Sequence, residues 1–133
     1  MKYYKKIVGE HIYLSPISLE DSNKYLDWII SDNKQNQAVF EGYKKNIPNL
    51  AAAKKELQSM TANDSFAIID SDTNELIGYC GFSDIVSLNQ RAELWIKINP
   101  SMDKQKQIDL GAEALNKLIY YAQDYLNLNS LII

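Results

Sequence analysis

Three apolar runs separated by turn chemistry, then one long amphipathic stretch, then another apolar run constrain this chain more than any other feature. "SFAIID" (65–70), "ELIGYCGFSDIV" (75–86) and "RAELWIKI" (91–98) are rich in β-branched and aromatic residues. "SDTN" and "SLNQ" stand between them. Short loops of that composition predict antiparallel neighbours, so the three runs read as a meander. Pro100 ends the third run. The stretch "SMDKQKQID" reads as a loop that feeds a helix from about Leu110 to Leu126, with Ala114, Leu115, Leu118, Ala122 and Leu126 on one side. "LNLN" closes that helix and "SLII" opens a further strand. A single helix between two strands is the connection that parallel neighbours need, so this last strand is expected parallel to "RAELWIKI".

The first half adds one strand and two helices. "HIYLSPIS" alternates Ile12, Leu14 and Ile17 with polar residues and is stopped by Pro16. "SLEDSNKYLDWII" opens on Ser18 and Asp21, an approximate capping box, and carries Leu19, Tyr25, Leu26, Trp28, Ile29 and Ile30 as its apolar side. Residues 31–49, which include Gly42 and Pro48, read as a loop; "LAAAKKELQSM" is rich in strong helix formers. The order is β-α-α-β-β-β-α-β. It describes an α+β fold, a mixed and mostly antiparallel sheet flanked by helices, in a single domain over residues 1–133.

Composition excludes several functions. A net charge of −3 argues against a broad electrostatic grip on nucleic acid. The lone Cys80 rules out an internal disulfide framework and a multi-cysteine metal site, and with His11 as the one histidine zinc chemistry has little support. "MKYYKKIVGE" lacks the apolar run of a signal peptide, and no stretch reaches the roughly 18 apolar residues of a membrane helix. The expectation is a cytoplasmic domain with no nucleic-acid or membrane partner.

In their order these elements resemble the GNAT superfamily of acetyl-CoA-dependent N-acetyltransferases, on the phrases "IYLSPISLEDSNKYLDWI", "ELIGYCGF", "NQRAELWIKINP" and "LGAEALNKLIYYAQDYLNLNSLII". They are most similar to the branch that acetylates ribosomal-protein N-termini and polyamines. The resemblance implies acetyl-CoA as co-substrate, no metal, and a primary amine as acceptor. It also implies a cofactor site in two parts. Backbone groups of Trp95, Ile96, Lys97 and Ile98 would pair with the pantetheine arm. The segment Lys106, Gln107, Ile108, Asp109, Leu110, Gly111 and Ala112 would present N–H groups to the pyrophosphate, as helix starts do.

The family's pattern there is Gln or Arg, two residues, Gly, one residue, then Gly or Ala. It falls on Lys106, Asp109 and Gly111. Lys106 keeps a positive charge without the guanidinium fork. Asp109 stands in place of a glycine, and its carboxylate would repel phosphate unless it turns to solvent or pairs with Lys104 or Lys106. The bland alternative is an ordinary helix start with Asp109 as N-cap.

The resemblance also points to Glu93 as the base that takes a proton from the acceptor amine; a solvent-facing carboxylate, or one paired with Arg91, is the alternative. Asp84 could meet a cationic acceptor or cap a turn. Tyr79, Tyr120 and Tyr121 read as packing residues, Cys80 as a buried small hydrophobe and His11 as a surface or edge histidine. Phe40, Glu41 and Tyr43 could line the acceptor side or pack their own loop. In the family the "LII" strand continues into a turn, a further helix and two strands that supply the general-acid tyrosine. The expectation is a C-terminally truncated GNAT fold: either the chain is a fragment of a longer protein, or it covers its exposed C-terminal edge by homo-oligomerisation. Two functions stay open: an N-acetyltransferase, or a non-catalytic module that binds acyl-CoA or self-associates.

Overall fold

The computed structural model describes residues 3–36, 49–61, 64–86, 91–124 and 130–132, with side chains at 3–31, 49–61, 64–82 and 93–124. Six strands form one sheet in sequence order: β1 (Ile7–Val8), β2 (Ile12–Ser15), β3 (Ser65–Asp70), β4 (Leu76–Val86), β5 (Arg91–Ile98) and β6 (Ser130–Ile132). Every neighbouring pair is antiparallel except β5 and β6. The meander and the parallel crossover are therefore as the turn chemistry and the helix between the last two strands require. The β3–β4 turn is held by Asp70, whose carboxylate accepts the Asp72 N–H at 2.8 Å, and by Asn74 at a φ of 59°. The short strand β1 was not expected. It hairpins onto β2 through Gly9, whose N–H donates to the Ile12 carbonyl at 2.8 Å.

Helices cover both faces. Helix α3 (Lys104–Asp124) lies on one face, where Ala114, Leu118 and Ala122 pack against Ile12, Leu14, Phe66, Ile68, Cys80, Phe82 and Leu94. Helices α1 (Ser22–Asn36) and α2 (Leu50–Met60) lie on the other, where Tyr25, Trp28, Ala53 and Leu57 meet Tyr13, Ala67, Ile69, Leu76 and Tyr79. Alternation along each strand sorts the residues between the faces. One break in it is structural. Ile68 pairs with Gly78 and Ile69 with Leu76, so Ile77 is an extra residue. That bulge puts Leu76 and Tyr79 on the same face despite their odd spacing. Gly78 fits there because a Cβ would stand 2.5 Å from the Lys97 carbonyl oxygen of β5.

The first helix differs from the reading of its sequence. Leu19–Asp21 form a 3₁₀ turn, Ser18 accepts from the Glu20 N–H at 3.2 Å, and α1 then runs to Asn36, beyond the expected end at Ile30. Leu19 and Ile30 are exposed, while Tyr25 and Trp28 are buried. Asp21 does not complete a capping box. It is buried, and its carboxylate accepts the Tyr3 hydroxyl at 2.8 and 2.9 Å. Helix α2 starts where its composition predicts, with Asn49 accepting the Ala52 N–H at 2.8 Å.

Candidate active site

Among the described residues, strand β5 has a neighbour on both sides for only part of its length. It pairs with β4 from Arg91 to Ile98, but with β6 only at Arg91, Ala92 and Glu93. Among the described residues, the edge from Leu94 to Ile98 has no strand on the β6 side. Its N–H and C=O groups there can receive an extended amide-bearing ligand as a strand would. Trp95, Ile96, Lys97 and Ile98, the residues expected to hold the pantetheine arm, all lie on that open edge.

The strand hands over to α3 through a tight turn. Asn99 donates its N–H to the Ile77 carbonyl at 2.9 Å and accepts the Met102 N–H at 3.2 Å, while its side chain accepts the Ser101 N–H at 3.0 Å. Pro100, with its fixed φ, suits the second position of such a turn. Helix α3 then begins at Lys104. Asp103 is its N-cap: the side chain accepts the Lys106 N–H at 3.3 Å and the carbonyl accepts the Gln107 N–H at 2.9 Å.

This corrects the expected helix start at Leu110, and it corrects the alternative that made Asp109 the cap. The whole segment Lys106–Ala112 is helical. From Ile108 on, each N–H in an α-helix is bonded to the carbonyl four residues before it, so Ile108, Asp109, Leu110, Gly111 and Ala112 hold no spare backbone donors. The donors at the head of the helix belong to Lys104 and Gln105, with the side chains of Lys104 and Lys106 exposed beside them. Asp109 is exposed and accepts from the Gln105 amide at 3.0 Å, the solvent-facing arrangement that spares a phosphate its charge. Gly111 is buried against β5 without a positive φ; a Cβ there would stand 3.5 Å from Ile96 Cδ1, an ordinary contact.

Residues of β5 alternate between faces. Leu94, Ile96 and Ile98 join the α3-side core, and Trp95 packs on the α1–α2 side, which places Glu93 and Lys97 on that side as well. Glu93 is exposed. Lys97 donates to Glu56 of α2 at 2.7 Å and to the Tyr25 hydroxyl of α1 at 3.0 Å. The sequence carried no signal for this trio, which joins both helices to the candidate site. Burial pushes the Tyr25 hydroxyl up to about 12. Burial would raise Glu56, but the Lys97 ammonium holds it below its usual 4.5; the same partner outweighs the burial of Lys97 and keeps it above 10.5.

Of the other candidates, Tyr79 is fully buried between Tyr25 and Trp28, and burial pushes its hydroxyl far up. That hydroxyl has no hydrogen-bond partner among the described residues. Cys80 is buried in the α3-side core, where desolvation raises its thiol strongly. Tyr121 packs on Phe66 and Phe82, and Tyr120 is exposed. His11 is exposed at the β1–β2 turn and bound to Glu113 of α3. Asp84 lies in β4 with its side chain outside the described residues, as are Phe40, Glu41 and Tyr43 altogether. Among the described residues no His, Cys, Asp and Glu group could hold a metal ion, and no helix is long and apolar enough to cross a membrane.

A meander that passes into a long helix and then a parallel strand, with helices on both faces, is the fold of a known family. The chain belongs to the GNAT acetyltransferases: the family's Acetyltransferase (GNAT) domain matches residues 11–133. Among solved structures it is similar to a Vibrio cholerae protein assigned as a ribosomal-protein-serine acetyltransferase, at 20% identity and a TM-score of 0.67, over 98% of this chain and 74% of that one. A chimeric spermidine N-acetyltransferase that includes Vibrio cholerae sequence is 19% identical with a TM-score of 0.62, over 92% of this chain and 69% of that one. A microcin self-immunity acetyltransferase, solved with acetyl-CoA and AMP, is 16% identical with a TM-score of 0.63, over 87% and 65%. No protein with a curated description matches the chain by sequence. At these identities the solved structures share the fold, and the family's co-substrate is acetyl-CoA.

Proposed function

We propose that this protein is an acetyl-CoA-dependent N-acetyltransferase that acts on a primary amine. The observation that carries the reading is the handover from β5 to α3: the strand ends at Ile98 and the helix begins at Lys104 after one tight turn, beside a strand edge that has no β6-side neighbour from Leu94 to Ile98 among the described residues. An open strand edge and a helix start thus stand at the two ends of one short segment. Acetyl-CoA, when bound, supplies an acetyl group activated as a thioester. The backbone of Trp95–Ile98 would hold the amide-bearing arm. The head of α3 with Lys104 and Lys106 would take the phosphates, where the helix dipole favours negative charge. Of the expected segment, Lys106 and Gln107 belong to that first turn, whereas Ile108–Ala112 can contribute side chains and shape only. Glu93, exposed on the α1–α2 side, would take the proton that an ammonium acceptor must lose before it can attack. Spermidine and a peptide with a free N-terminal serine are the acceptors to try first.

Calorimetric titration with acetyl-CoA and with CoA tests the cofactor reading; no heat of binding at millimolar cofactor would sink it. Release of the CoA thiol in the presence of each acceptor then tests the chemistry. Glu93→Gln is expected to lower turnover by about 100-fold or more while acetyl-CoA affinity stays within about twofold, as the loss of a general base should.

A second reading, a non-catalytic module that binds acyl-CoA or self-associates, is favoured by the helical state of Ile108–Ala112, which withdraws backbone donors from the cradle segment. Binding without turnover on any amine would select it. Pairing of the β6 edge between copies is the economical form of self-association, and solution scattering that returns a monomer mass would remove it. A lone buried thiol suits the reducing cytoplasm, and the net charge of −3 suits no nucleic-acid partner.

A further inference from the structure

Glu113 of α3 takes three hydrogen bonds from the β1–β2 turn. Its Oε2 accepts the backbone N–H groups of His11 at 2.8 Å and Ile12 at 3.0 Å, and its Oε1 lies 3.0 Å from His11 Nδ1. Gly9 makes room for this clasp: a Cβ there would overlap Glu113 Oε2 and stand 2.9 Å from the Ile12 carbonyl oxygen. The Glu113 side chain is 18% exposed and that of His11 61%, so the carboxylate is shielded and the ring sits at the solvent rim. Elsewhere α3 rests on Ala114, Leu118 and Ala122. Apolar contact of that kind is non-directional and does little to stop a helix from sliding or turning on the sheet. Toward the far end of α3, the Tyr121 hydroxyl reaches Asp64 at 3.4 Å. Glu113 lies between that contact and the head of the helix.

We propose that Glu113 is a positioning residue for the cofactor end of the site: by clasping the β1–β2 turn it sets where the first turn of α3 stands against the open edge of β5, and it does so more firmly when His11 is protonated. The inference rests on the acetyl-CoA reading above. The hydrogen bond to the Glu113 carboxylate holds the His11 ring above its ordinary 6.5; desolvation works against this, and Glu10 on its own turn and Asp72 on the β3–β4 turn add to it. Burial would raise Glu113, but the His11 N–H, the His11 ring and the Ile12 N–H outweigh it and hold the carboxyl below 4.5. The sign follows. The clasp's extra strength is fully present below pH 6.5 and is lost as pH rises through the raised His11 value. It is lost again in acid, as pH falls through the lowered Glu113 value.

The test is acetyl-CoA affinity by calorimetry between pH 6 and pH 8, with amide hydrogen exchange at Lys104–Gln107 read in parallel. Wild type should bind about threefold more tightly at pH 6 than at pH 8, and His11→Gln should flatten that trend. Glu113→Ala should weaken binding by about tenfold and speed exchange in the first turn of α3. Glu113→Gln, whose amide can still accept both backbone N–H groups and donate to a neutral His11 ring, should bind within about threefold of wild type at pH 8 and lose the tightening at pH 6. Wild-type affinity in Glu113→Ala, or a wild-type pH trend in Glu113→Gln, overturns the proposal, and the glutamine variant decides it if the alanine variant does not fold. If wild type binds no acetyl-CoA, the cofactor reading falls first. Exchange then judges the clasp: unchanged protection in the variants removes it too.

Discussion

On the α3 side of the sheet, Ile12, Leu14, Phe66, Ile68 and Leu118 meet without a polar side-chain atom among them, whereas on the α1–α2 side Tyr3, Tyr13, Tyr25, Trp28 and Tyr79 carry hydroxyls and an indole into the core. The buried Asp21 carboxylate, bonded to Tyr3, lies among the second group. Apolar packing supplies free energy in proportion to area and little orientation. Buried hydrogen bonds add less net energy but are costly when left unmade, so they fix geometry. The α1–α2 side of the candidate site is thus built from directional contacts, including Lys97 with Glu56 and Tyr25. The α3 side is an apolar bed that needs Glu113 for its register.

Several substitutions would sharpen or break that contrast. The largest effect should come from Leu118→Ala, which leaves a hole in the α3 bed and should cost about 3 kcal/mol in urea unfolding. A loss below about 1 kcal/mol would mean that this face is not close-packed. Next come two chemically identical changes expected to differ in sign. Tyr3→Phe removes a donor from a buried carboxylate and should cost about 2 kcal/mol, whereas Tyr79→Phe deletes a buried hydroxyl with no partner among the described residues and should be neutral or stabilising by up to about 1 kcal/mol. Equal losses would erase the claim that the α1–α2 face is ordered by specific hydrogen bonds.

Gly111→Ala sits inside a helix at negative φ with room for a methyl, and should raise stability by about 1 kcal/mol. A drop would show that α3 lies closer to Ile96 of β5 than the 3.5 Å left for a Cβ. The smallest effect belongs to the Lys97–Glu56 pair. With side chains 47% and 41% exposed, Lys97→Met should shift stability by less than about 1 kcal/mol, and less still at high salt. What the pair contributes should vanish as pH falls through the lowered Glu56 value, below 4.5, and as pH rises through the raised Lys97 value, above 10.5.

Much of the architecture was legible before any coordinates. Pro16 and Pro100 end strands, "SDTN" turns a hairpin, Asn49 and the alanines after it start a helix, and one helix between two strands makes a parallel pair. The head of α3 was not legible, for a physical reason. Apolar periodicity starts only where the helix meets the sheet, near Gly111; the turns before it, "KQKQID", face water and are held by helix propensity and the Asp103 cap. The bulge at Ile77 escaped because it depends on register with β3. The trio at Lys97 escaped because its members are distant in the chain. Glu113 lay in plain view within "GAEAL", but nothing local tells a clasp from a solvated helix face.

The sequence by itself determined the order of every element but β1, the family, and the strand edge from Trp95 to Ile98 as the place to look. The elements follow from period, turn chemistry and propensity, which act between residues close in the chain, whereas the family and that strand edge follow from the resemblance of four phrases to known acetyltransferases. Tertiary structure alone decided that Ile108–Ala112 spend their backbone donors inside a helix, that Asp109 turns to water beside Gln105, that Lys97 joins Glu56 and Tyr25, and that Glu113 holds α3 to the β1–β2 turn. Each is a contest for hydrogen-bond partners or burial among residues far apart in sequence, settled only when the helices lie down on the sheet.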